Sequence, residues 1–373
     1  MKNPYIAALY PHIFDPEYKT AQDFLDKSGQ NTGNYMFSSS VRRLVKTTTK
    51  TDRLTVNVPK VRRDCDGIVI AAANWLQPKN DFTGLANAIE KADVPTVITG
   101  LGAQAVDGKV PDLTEGTVRL LKVISERCDS ISVRGPFSAE VLNHYGVQNV
   151  TVTGCPSLLW HLNHSAAVTR LPRPARIGRV SINGTVPGRA VPAKANPRMV
   201  LGRFIFQAAV AARWDYVAQT ELQLMMVARG ETDPLTGADW DFLRYAFDAT
   251  DDMAIKRYLK RHLRCFTNVP EWLAYCANQD MVIGTRLHGV IAGLLAGTPS
   301  VLITHDSRTR EMADFASIPA VDAEDVMASG GIDPAKLLAE ADFAAFNRRQ
   351  QQYFKDFTAF FDRNGVPHRL RMS

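Results

Sequence analysis

Two basic residues, Arg286 and His288, open a segment whose apolar pattern predicts a helix, directly after Gly284 and Thr285. The N–H groups of a helix's first turn lack partners within the helix, and the helix dipole makes that end positive. Basic side chains at this end destabilise a helix, whereas an N-terminus with an arginine is a suitable binding site for an anion. The segment therefore predicts a site for a phosphate or a carboxylate.

The elements that position this site follow a repeating pattern. Apolar runs bounded by Gly, Pro or Asp alternate with helical stretches, which is typical of βα units on a parallel sheet. Ligands of such sheets gather at the carboxyl ends of the strands. The predicted strands are residues 66–73, 94–102, 130–134, 150–154, 179–184 and the two strands within 281–304, with 221–227 as a further candidate; the predicted helices are 84–91, 113–127, 135–146 and 342–363.

The domain organisation is predicted from length and from one composition shift. A chain of 373 residues suits about two domains. Residues 171–179 are rich in Pro and Arg and predict a linker. We expect an N-terminal domain over 1–172, a C-terminal domain over 173–341, and a C-terminal helix and tail over 342–373. The aromatic residues of that last helix form one stripe, which predicts packing against the body.

Composition limits the classes of protein and partner. Apolar residues make up 45% of the chain, which is typical of a globular protein. A net charge of +6 suits anionic ligands or an acidic membrane surface, and no nucleic-acid motif accompanies it, so we expect no nucleic-acid partner. The apolar run over 290–303 is broken by Thr298 and Pro299 and falls short of the roughly 20 residues that span a bilayer. The sequence thus predicts a soluble protein.

Cysteine and histidine spacing gives no sign of a metal or a disulfide framework. The five cysteines are scattered and odd in number, which favours a reducing, cytoplasmic environment. His144, His161 and His164 show no metal-ligand spacing, so we expect no metal site. The apolar run at the N-terminus is too short to predict a signal peptide.

Several segments together resemble one known family. Residues 283–303 resemble the Gly-x-Arg-Leu-His helix of the polysaccharide pyruvyl transferases. Residues 130–154 are similar to that family's first-domain block, in which a Ser-x-Arg strand and a helix lead to an Asp-Pro pair. Residues 99–104 look like its Gly-x-Gly loop, and 30–34 look like its Asn-x-Gly-Asp turn. The similarity runs from about residue 31 to residue 318.

The resemblance implies a fold and an activity. The expected fold is α/β and GT-B-like, with two Rossmann-like domains whose parallel sheets face each other across a cleft. The resemblance implies that the domain over 1–172 is acceptor-binding and the domain over 173–341 is donor-binding. The expected reaction transfers pyruvate from phosphoenolpyruvate to two hydroxyls of a sugar, giving a ketal and inorganic phosphate without a cofactor. The acceptor would be a sugar or a lipid-linked oligosaccharide of exopolysaccharide or capsule synthesis. Peripheral association with the inner face of a membrane and a homo-oligomer are both compatible with the sequence.

The resemblance also implies roles for individual residues. Donor binding falls to Arg286, Arg308, Thr285, Gly284 and His305; acceptor binding to Asn31, Asn34 and Gly102; and catalysis to His288 with Glu231 or Asp233 as the base. A bound dianion raises the pKa of His288, whereas burial and the helix N-terminus lower it, so the direction stays open. Arg134 follows a strand and suits either a ligand contact or a structural salt bridge.

Three positions depart from the family pattern. Asn34 stands in place of the turn's Asp, Cys155 in place of the Asp before Pro156, and Arg308 in place of a Lys. Arg for Lys replaces a point charge by a planar fork. These departures leave two alternatives open. One is a GT-B glycosyltransferase that uses a nucleotide sugar, and the other is a non-catalytic sugar-binding relative.

Overall fold

The computed structural model describes residues 1–9, 19–49, 55–104, 109–163, 165–185, 191 and 196–371. A first parallel sheet has the order β1-β2-β3, and two further parallel strands, β4 and β5, continue it through a bridge between Leu101 and Val133. These strands are β1 (Tyr5–Ala7), β2 (Ile68–Ala71), β3 (Thr96–Thr99), β4 (Ile131–Val133) and β5 (Val150–Val152). Residues of β1 to β4 are buried because helices cover both faces of the sheet.

The helices of this half begin at polar caps or at proline. Thr114 accepts the N–H of Thr117 at the start of α5, and α6 begins with Pro136, whose missing N–H leaves no unpaired donor. The helices are α1 (Ala21–Lys27), α2 (Asn34–Leu44), α3 (Val58–Asp64), α4 (Thr83–Ala92), α5 (Glu115–Ser125) and α6 (Pro136–His144), and a 3₁₀ turn follows at Pro156–Leu159.

A second parallel sheet has six strands in the order β11-β10-β9-β6-β7-β8. The chain proceeds outward from β6 to β8 and then crosses back to β9, so the strand order reverses between β6 and β9. Such a reversal creates a crevice at the carboxyl ends of the two strands. The strands are β6 (Val180–Asn183), β7 (Asp215–Val217), β8 (Leu263–Arg264), β9 (Met281–Gly284), β10 (Ser300–Thr304) and β11 (Ala320–Asp322).

The helices around the second sheet include the one that opens with the basic pair. They are α7 (Pro197–Ala212), α8 (Leu222–Arg229), α9 (Gly237–Phe247), α10 (Asp252–His262), α11 (Val269–Cys276), α12 (Leu287–Leu295), α13 (Ser307–Ala316), α14 (Ala323–Ala328) and α15 (Pro334–Glu340), and a 3₁₀ turn at Pro174–Arg176 precedes the sheet. Arg286 is the N-cap of α12, and β9, α12 and β10 occupy the predicted segment. The predicted strand at 221–227 is wrong, because this apolar run forms the start of α8 and the neighbouring strand is β7.

Glycines allow α12 to lie close to the sheet. A Cβ on Gly289 would approach the side chain of Asn183 to 2.5 Å, and one on Gly293 would approach Ser300 Oγ to 2.2 Å. Gly284 allows β9 to lie close to β6, since a Cβ added to it would lie 2.1 Å from the carbonyl oxygen of Asn183. The tight packing fixes the start of α12 directly over the crevice between β6 and β9.

The C-terminal helix α16 (Phe343–Arg363) returns to the first half of the chain. Its aromatic stripe is buried, which confirms the predicted packing. The Tyr353 hydroxyl donates to the carbonyl of Cys155 at 2.9 Å, and the Asn364 side chain after the helix accepts from the N–H groups of Asp129 and Ser130. The predicted fold class is confirmed: two parallel sheets are covered by helices, and the C-terminal helix packs back on the body.

Candidate active site

A cavity of about 130 Å³ lies where loops from both sheets meet. Its lining residues follow the carboxyl ends of strands: Asn74 follows β2, Arg134 follows β4, Gln219 follows β7, Thr285 follows β9 and His305 follows β10. Parallel strands present these ends at one edge of each sheet, so residues far apart in sequence converge there. The cavity therefore occupies the predicted place in the fold.

Positive charge dominates this cavity. Four arginines line it, Arg134, Arg198, Arg286 and Arg308, and no Asp or Glu does so among the residues that the structure describes. Arg198, Arg286 and Arg308 belong to the first turns or the N-cap of α7, α12 and α13, so three helix N-termini accompany the side chains. Arginine forks together with helix N-termini form a site suited to an anion that carries several negative charges.

Arg286 is held in place by neutral groups and one distant carboxylate. Its Nε donates to the carbonyl of Gly184 at 3.2 Å, and its Nη2 donates to the hydroxyl of Thr220. Glu221 Oε1 lies 3.9 Å from Nη2, and this carboxylate also accepts the N–H of Gln219 at 3.0 Å. The guanidinium is thus oriented with most of its charge left for a ligand.

Arg134 is buried, with 3% of its surface exposed, and it forms no salt bridge with any described carboxylate. Its Nε donates to the carbonyl of Gly100 at 2.8 Å, and its guanidinium lies 5.8 Å from the ring centre of Phe37. The sequence left open whether Arg134 contacts a ligand or forms a structural salt bridge. It forms no such salt bridge with the described residues. A buried cation with only neutral partners at a cavity wall is complementary to an anion.

Arg308 and His305 form the third basic group. Arg308 Nη2 donates to Asp306 Oδ2 at 3.3 Å, and His305 Nε2 lies 3.6 Å from the same oxygen. Burial lowers the pKa of Arg308, and Arg134, Arg286 and Arg198 lower it further. The Nδ1 atom of His305 is buried without a partner among the described residues. Mutual repulsion among these groups is relieved when an anion binds between them.

His288 is buried among these cations, with 9% of its surface exposed. Burial lowers its pKa well below the usual value, and the charges of Arg134, Arg308 and Arg286 act in the same direction. The sequence left open whether the pKa of His288 is raised or lowered. In the ligand-free protein it is lowered. His288 is therefore neutral near pH 7 and able to accept a proton.

Two neighbours orient the His288 ring. The Sγ atom of Cys155 lies 3.6 Å from Nε2, and the ring of Phe37 packs against the imidazole at 5.7 Å between centres. Cys155 is fully buried, and its thiol also donates to Ser157 Oγ at 3.2 Å. The position where the family pattern has an Asp is therefore in contact with the histidine.

Amide side chains form a further part of the lining, here called the amide side, namely those of Asn31, Asn34, Asn74 and Gln219. Asn31 Oδ1 accepts the N–H of Gly33 at 2.9 Å, which closes the turn before α2, and Asn34 Nδ2 donates to the carbonyl of Ser28 at 3.0 Å. Amides both donate and accept hydrogen bonds without carrying charge. This side of the cavity is complementary to hydroxyl groups.

The cavity brings together most of the residues implied by the resemblance, but four lie elsewhere. Glu231 and Asp233 line a separate pocket, in which Glu231 pairs with Arg229 and accepts the N–H of Ala21 at 2.8 Å. Gly284 lies within β9, and a Cβ on Gly102 would approach Arg134 Cδ to 3.0 Å. Both glycines thus act through packing and do not line the cavity.

Some lining residues carried no signal in the sequence. Arg198 follows Pro197 at the start of α7, in a stretch with several other basic residues, and nothing in its spacing marked it. Asn74, Thr185 and Gln219 follow strands, yet polar residues after strands are common and only the folded chain shows which of them converge. Arg286 could be predicted because basic residues at a helix start are unusual. The other four lining residues have no comparable pattern around them in the sequence.

The comparison with protein families gives one match, described as polysaccharide pyruvyl transferase, over residues 10–307. The chain belongs to this family. The match contains the turn at Asn31, the strand end at Arg134 and the basic helix start at Arg286 and His288. Of the four arginines that line the cavity, Arg134, Arg198 and Arg286 lie within the matched residues. A comparison with curated proteins gives no match.

Solved structures resemble this member of the family only distantly. UDP-N-acetylglucosamine 2-epimerase from Rickettsia bellii is 10% identical with a TM-score of 0.42, over 95% of this chain and 85% of that one. The S. aureus MnaA–UDP structure is 10% identical with a TM-score of 0.44, over 88% and 87%. An α,α-trehalose-phosphate synthase from Burkholderia vietnamiensis is 12% identical with a TM-score of 0.36, over 79% and 68%.

None of the described helices has the length and apolar character needed to cross a membrane. No group of three or more His, Cys, Asp or Glu side chains within the described ranges is arranged to hold a metal ion.

Proposed function

We propose that this transferase moves pyruvate from phosphoenolpyruvate to two hydroxyls of a sugar, as a ketal, in exopolysaccharide or capsule synthesis. The observation that carries the proposal is the cavity in which Arg134, Arg286 and Arg308 surround His288. Phosphoenolpyruvate carries a carboxylate and a phosphate, both attached to C2. A small cavity with several arginines and no described carboxylate in its lining is suited to both groups at once.

The lining of the cavity favours this donor over a nucleotide sugar. A nucleotide sugar needs an apolar surface for its base, whereas this lining contains two histidines and four arginines. The glycosyltransferase alternative therefore has less support from the lining residues than the pyruvyltransferase.

We further propose that His288 moves the proton that the reaction requires. Neutral His288 accepts a proton from one acceptor hydroxyl and delivers it to the methylene carbon of phosphoenolpyruvate, so that this carbon becomes the methyl group. The hydroxyl oxygen bonds to C2. The second hydroxyl then displaces phosphate from C2, and its proton leaves with the phosphate. The arginines stabilise the negative charge that develops on the departing group.

The positions of the carboxylates and of the amide side chains lead to proposals for the base and for the acceptor site. Because Glu231 and Asp233 line another pocket, we assign the role of base to His288 instead. We assign acceptor binding to the amide side of the cavity around Asn31 and Asn34, two residues of the first half of the chain. A lipid-linked acceptor would bring the protein to the inner face of the membrane, and the net charge of +6 is compatible with that surface.

A product assay tests the reaction. The protein is incubated with phosphoenolpyruvate carrying ¹³C at C2 and with simple neutral methyl hexosides, and the products are followed by ¹³C and ³¹P NMR. A ketal carbon that appears together with inorganic phosphate, and that is absent with His288→Gln, is the expected result. Transfer of phosphate to the sugar, or phosphate release with free pyruvate as the only product, would contradict the proposal. A non-catalytic relative would bind the ligands and give neither product.

A further inference from the structure

The side chain of Gln219 is the most deeply buried amide of the cavity, with 1% of its surface exposed. Both backbone polar groups of Gln219 are hydrogen-bonded: its N–H donates to Glu221 Oε2 and its carbonyl accepts the N–H of Thr32, both at 3.0 Å. Its side-chain Nε2, in contrast, is buried and has no partner among the described residues. Buried amide donors are nearly always paired, so the fold alone does not account for this one.

Gln219 lies next to the proposed catalytic residue. A Cβ on Gly33 would lie 2.7 Å from Gln219 Oε1 and 3.2 Å from the Cβ of His288. Both side chains therefore contact the same glycine, at the turn that Asn31 closes. The unpaired donor belongs to the wall where the amide side of the cavity meets the histidine.

A second unpaired amide atom lines the same cavity. Asn74 Oδ1 is buried without a partner among the described residues, whereas its Nδ2 donates to Gln104 Oε1 at 2.7 Å. The amide side chains of the cavity thus offer one unused donor and one unused acceptor among the described residues. A hydroxyl group both donates and accepts, whereas an ionised carboxylate or phosphate only accepts.

We infer that Gln219 binds the acceptor sugar, with its Nε2 donating to a hydroxyl oxygen beside His288, and that Asn74 Oδ1 accepts from a sugar hydroxyl. This inference rests on the proposed function, because it divides the cavity into an arginine side for the donor and an amide side for the acceptor. It also names the class of sugar. The arginines repel a cationic amino sugar, and no described carboxylate in the lining compensates for its charge, so the reacting residue is a neutral sugar.

A stability comparison separates this role from a structural one. Gln350 is the matched control: it is 2% exposed and lies in α16, and its Nε2 donates to the carbonyl of Ala316 at 2.8 Å. Gln350→Met breaks a satisfied hydrogen bond and is expected to lower the melting temperature. Gln219→Met removes a donor that has no partner and is expected to leave the melting temperature unchanged or to raise it. An equal loss of stability in both variants would overturn the inference.

A binding experiment tests the ligand. Saturation-transfer NMR is recorded on the protein with phosphoenolpyruvate and either methyl β-D-galactopyranoside or methyl α-D-mannopyranoside, with methyl β-D-glucosaminide as the cationic comparison. We expect a neutral glycoside to bind better than the amino sugar, and Gln219→Met to weaken it about tenfold, the effect of one hydrogen bond. The melting shift with phosphoenolpyruvate alone is expected to be the same in Gln219→Met and the wild type.

The outcomes distinguish this inference from the proposed function. Unchanged glycoside binding in Gln219→Met, or no neutral glycoside bound by the wild type, would overturn the role of Gln219. Loss of phosphoenolpyruvate binding in Gln219→Met would assign the amide to the donor and overturn it as well. Failure of phosphoenolpyruvate to bind the wild type would instead contradict the proposed function.

Discussion

The thiol of Cys155 lies 3.6 Å from Nε2 of His288, at the position where the family pattern has an aspartate. The hydroxyl of Tyr353 holds the Cys155 carbonyl from the C-terminal helix, so this contact joins three distant parts of the chain. A carboxylate here would favour a protonated imidazole, whereas a neutral thiol does not. Burial, together with the charges of Arg134 and Arg286, therefore keeps the pKa of His288 well below its usual value in the ligand-free protein.

Cys155→Asp is expected to raise the pKa of His288, because a carboxylate next to Nε2 stabilises the imidazolium and offsets the arginine charges. The pKa is measured by NMR titration of the imidazole resonances. Cys155→Ser is the matched control, since its hydroxyl keeps a neutral donor at the same place, and its His288 pKa should stay near the wild-type value. Equal pKa values in all three proteins would show that the contact does not tune the histidine.

The pH dependence of stability should report His288 directly. Its pKa lies below the usual value in the folded protein, so between about 6.5 and that lower pKa only the unfolded chain takes up the proton. The free energy of unfolding should therefore fall as the pH is lowered through this window, and less so in His288→Gln. Melting temperatures from pH 7.5 to 5 check this. Parallel curves for the two proteins would contradict the lowered pKa.

Arg308→Ala is expected to weaken phosphoenolpyruvate binding by about 10- to 100-fold, the loss of one charged hydrogen-bonded contact. Arg308→Lys should lose less, because it keeps the charge but not the planar fork. The control is Arg310→Ala on the same helix, whose side chain is exposed and pairs with Asp322. Calorimetric titration measures all four proteins. A loss of affinity in Arg310→Ala as large as that in Arg308→Ala would contradict the role of Arg308 in binding phosphoenolpyruvate.

Gly33→Ala is expected to disturb the site without unfolding the protein. Its φ of −58° suits alanine, but the added Cβ would lie 2.7 Å from Gln219 Oε1, so the amide or the turn must shift. Gly84→Ala is the control, since nothing lies within 4 Å of its Cβ, and it should stabilise α4 by about 0.5–1 kcal/mol. Melting curves and the product assay are compared. Full activity in Gly33→Ala would mean that this wall of the cavity is not used.

The sequence predicts the fold well where local pattern decides. The strand–helix–strand unit around Arg286, the helix over 84–91 and the buried aromatic stripe of α16 each carry their own periodicity. The run at 221–227 was ambiguous, because a short apolar stretch suits a buried strand and a helix equally. Its helical state is decided by the sheet, in which β7 already occupies the place beside β6.

The site is predictable only in part. The charge pattern at a helix start marks Arg286 and His288 within one segment. Arg198 and Gln219 enter the cavity through strand order, which brings the ends of β6, β7 and β9 together and leaves no trace in local spacing. Glu231 and Asp233 line another pocket, because α8 separates them along the chain from the end of β7.

The central claim is that the arginine cavity binds phosphoenolpyruvate, and thermal melting tests it most directly. The protein is melted with phosphoenolpyruvate, UDP, GDP or CMP, and the series is repeated with Arg286→Ala and with the exposed control Arg257→Ala. A ligand at about 100 times its dissociation constant stabilises a protein by ~2.7 kcal/mol, which is readily seen as a shifted melting temperature. We predict a shift with phosphoenolpyruvate alone, lost in Arg286→Ala and kept in Arg257→Ala. A shift with a nucleotide instead, or none with phosphoenolpyruvate, would contradict the account.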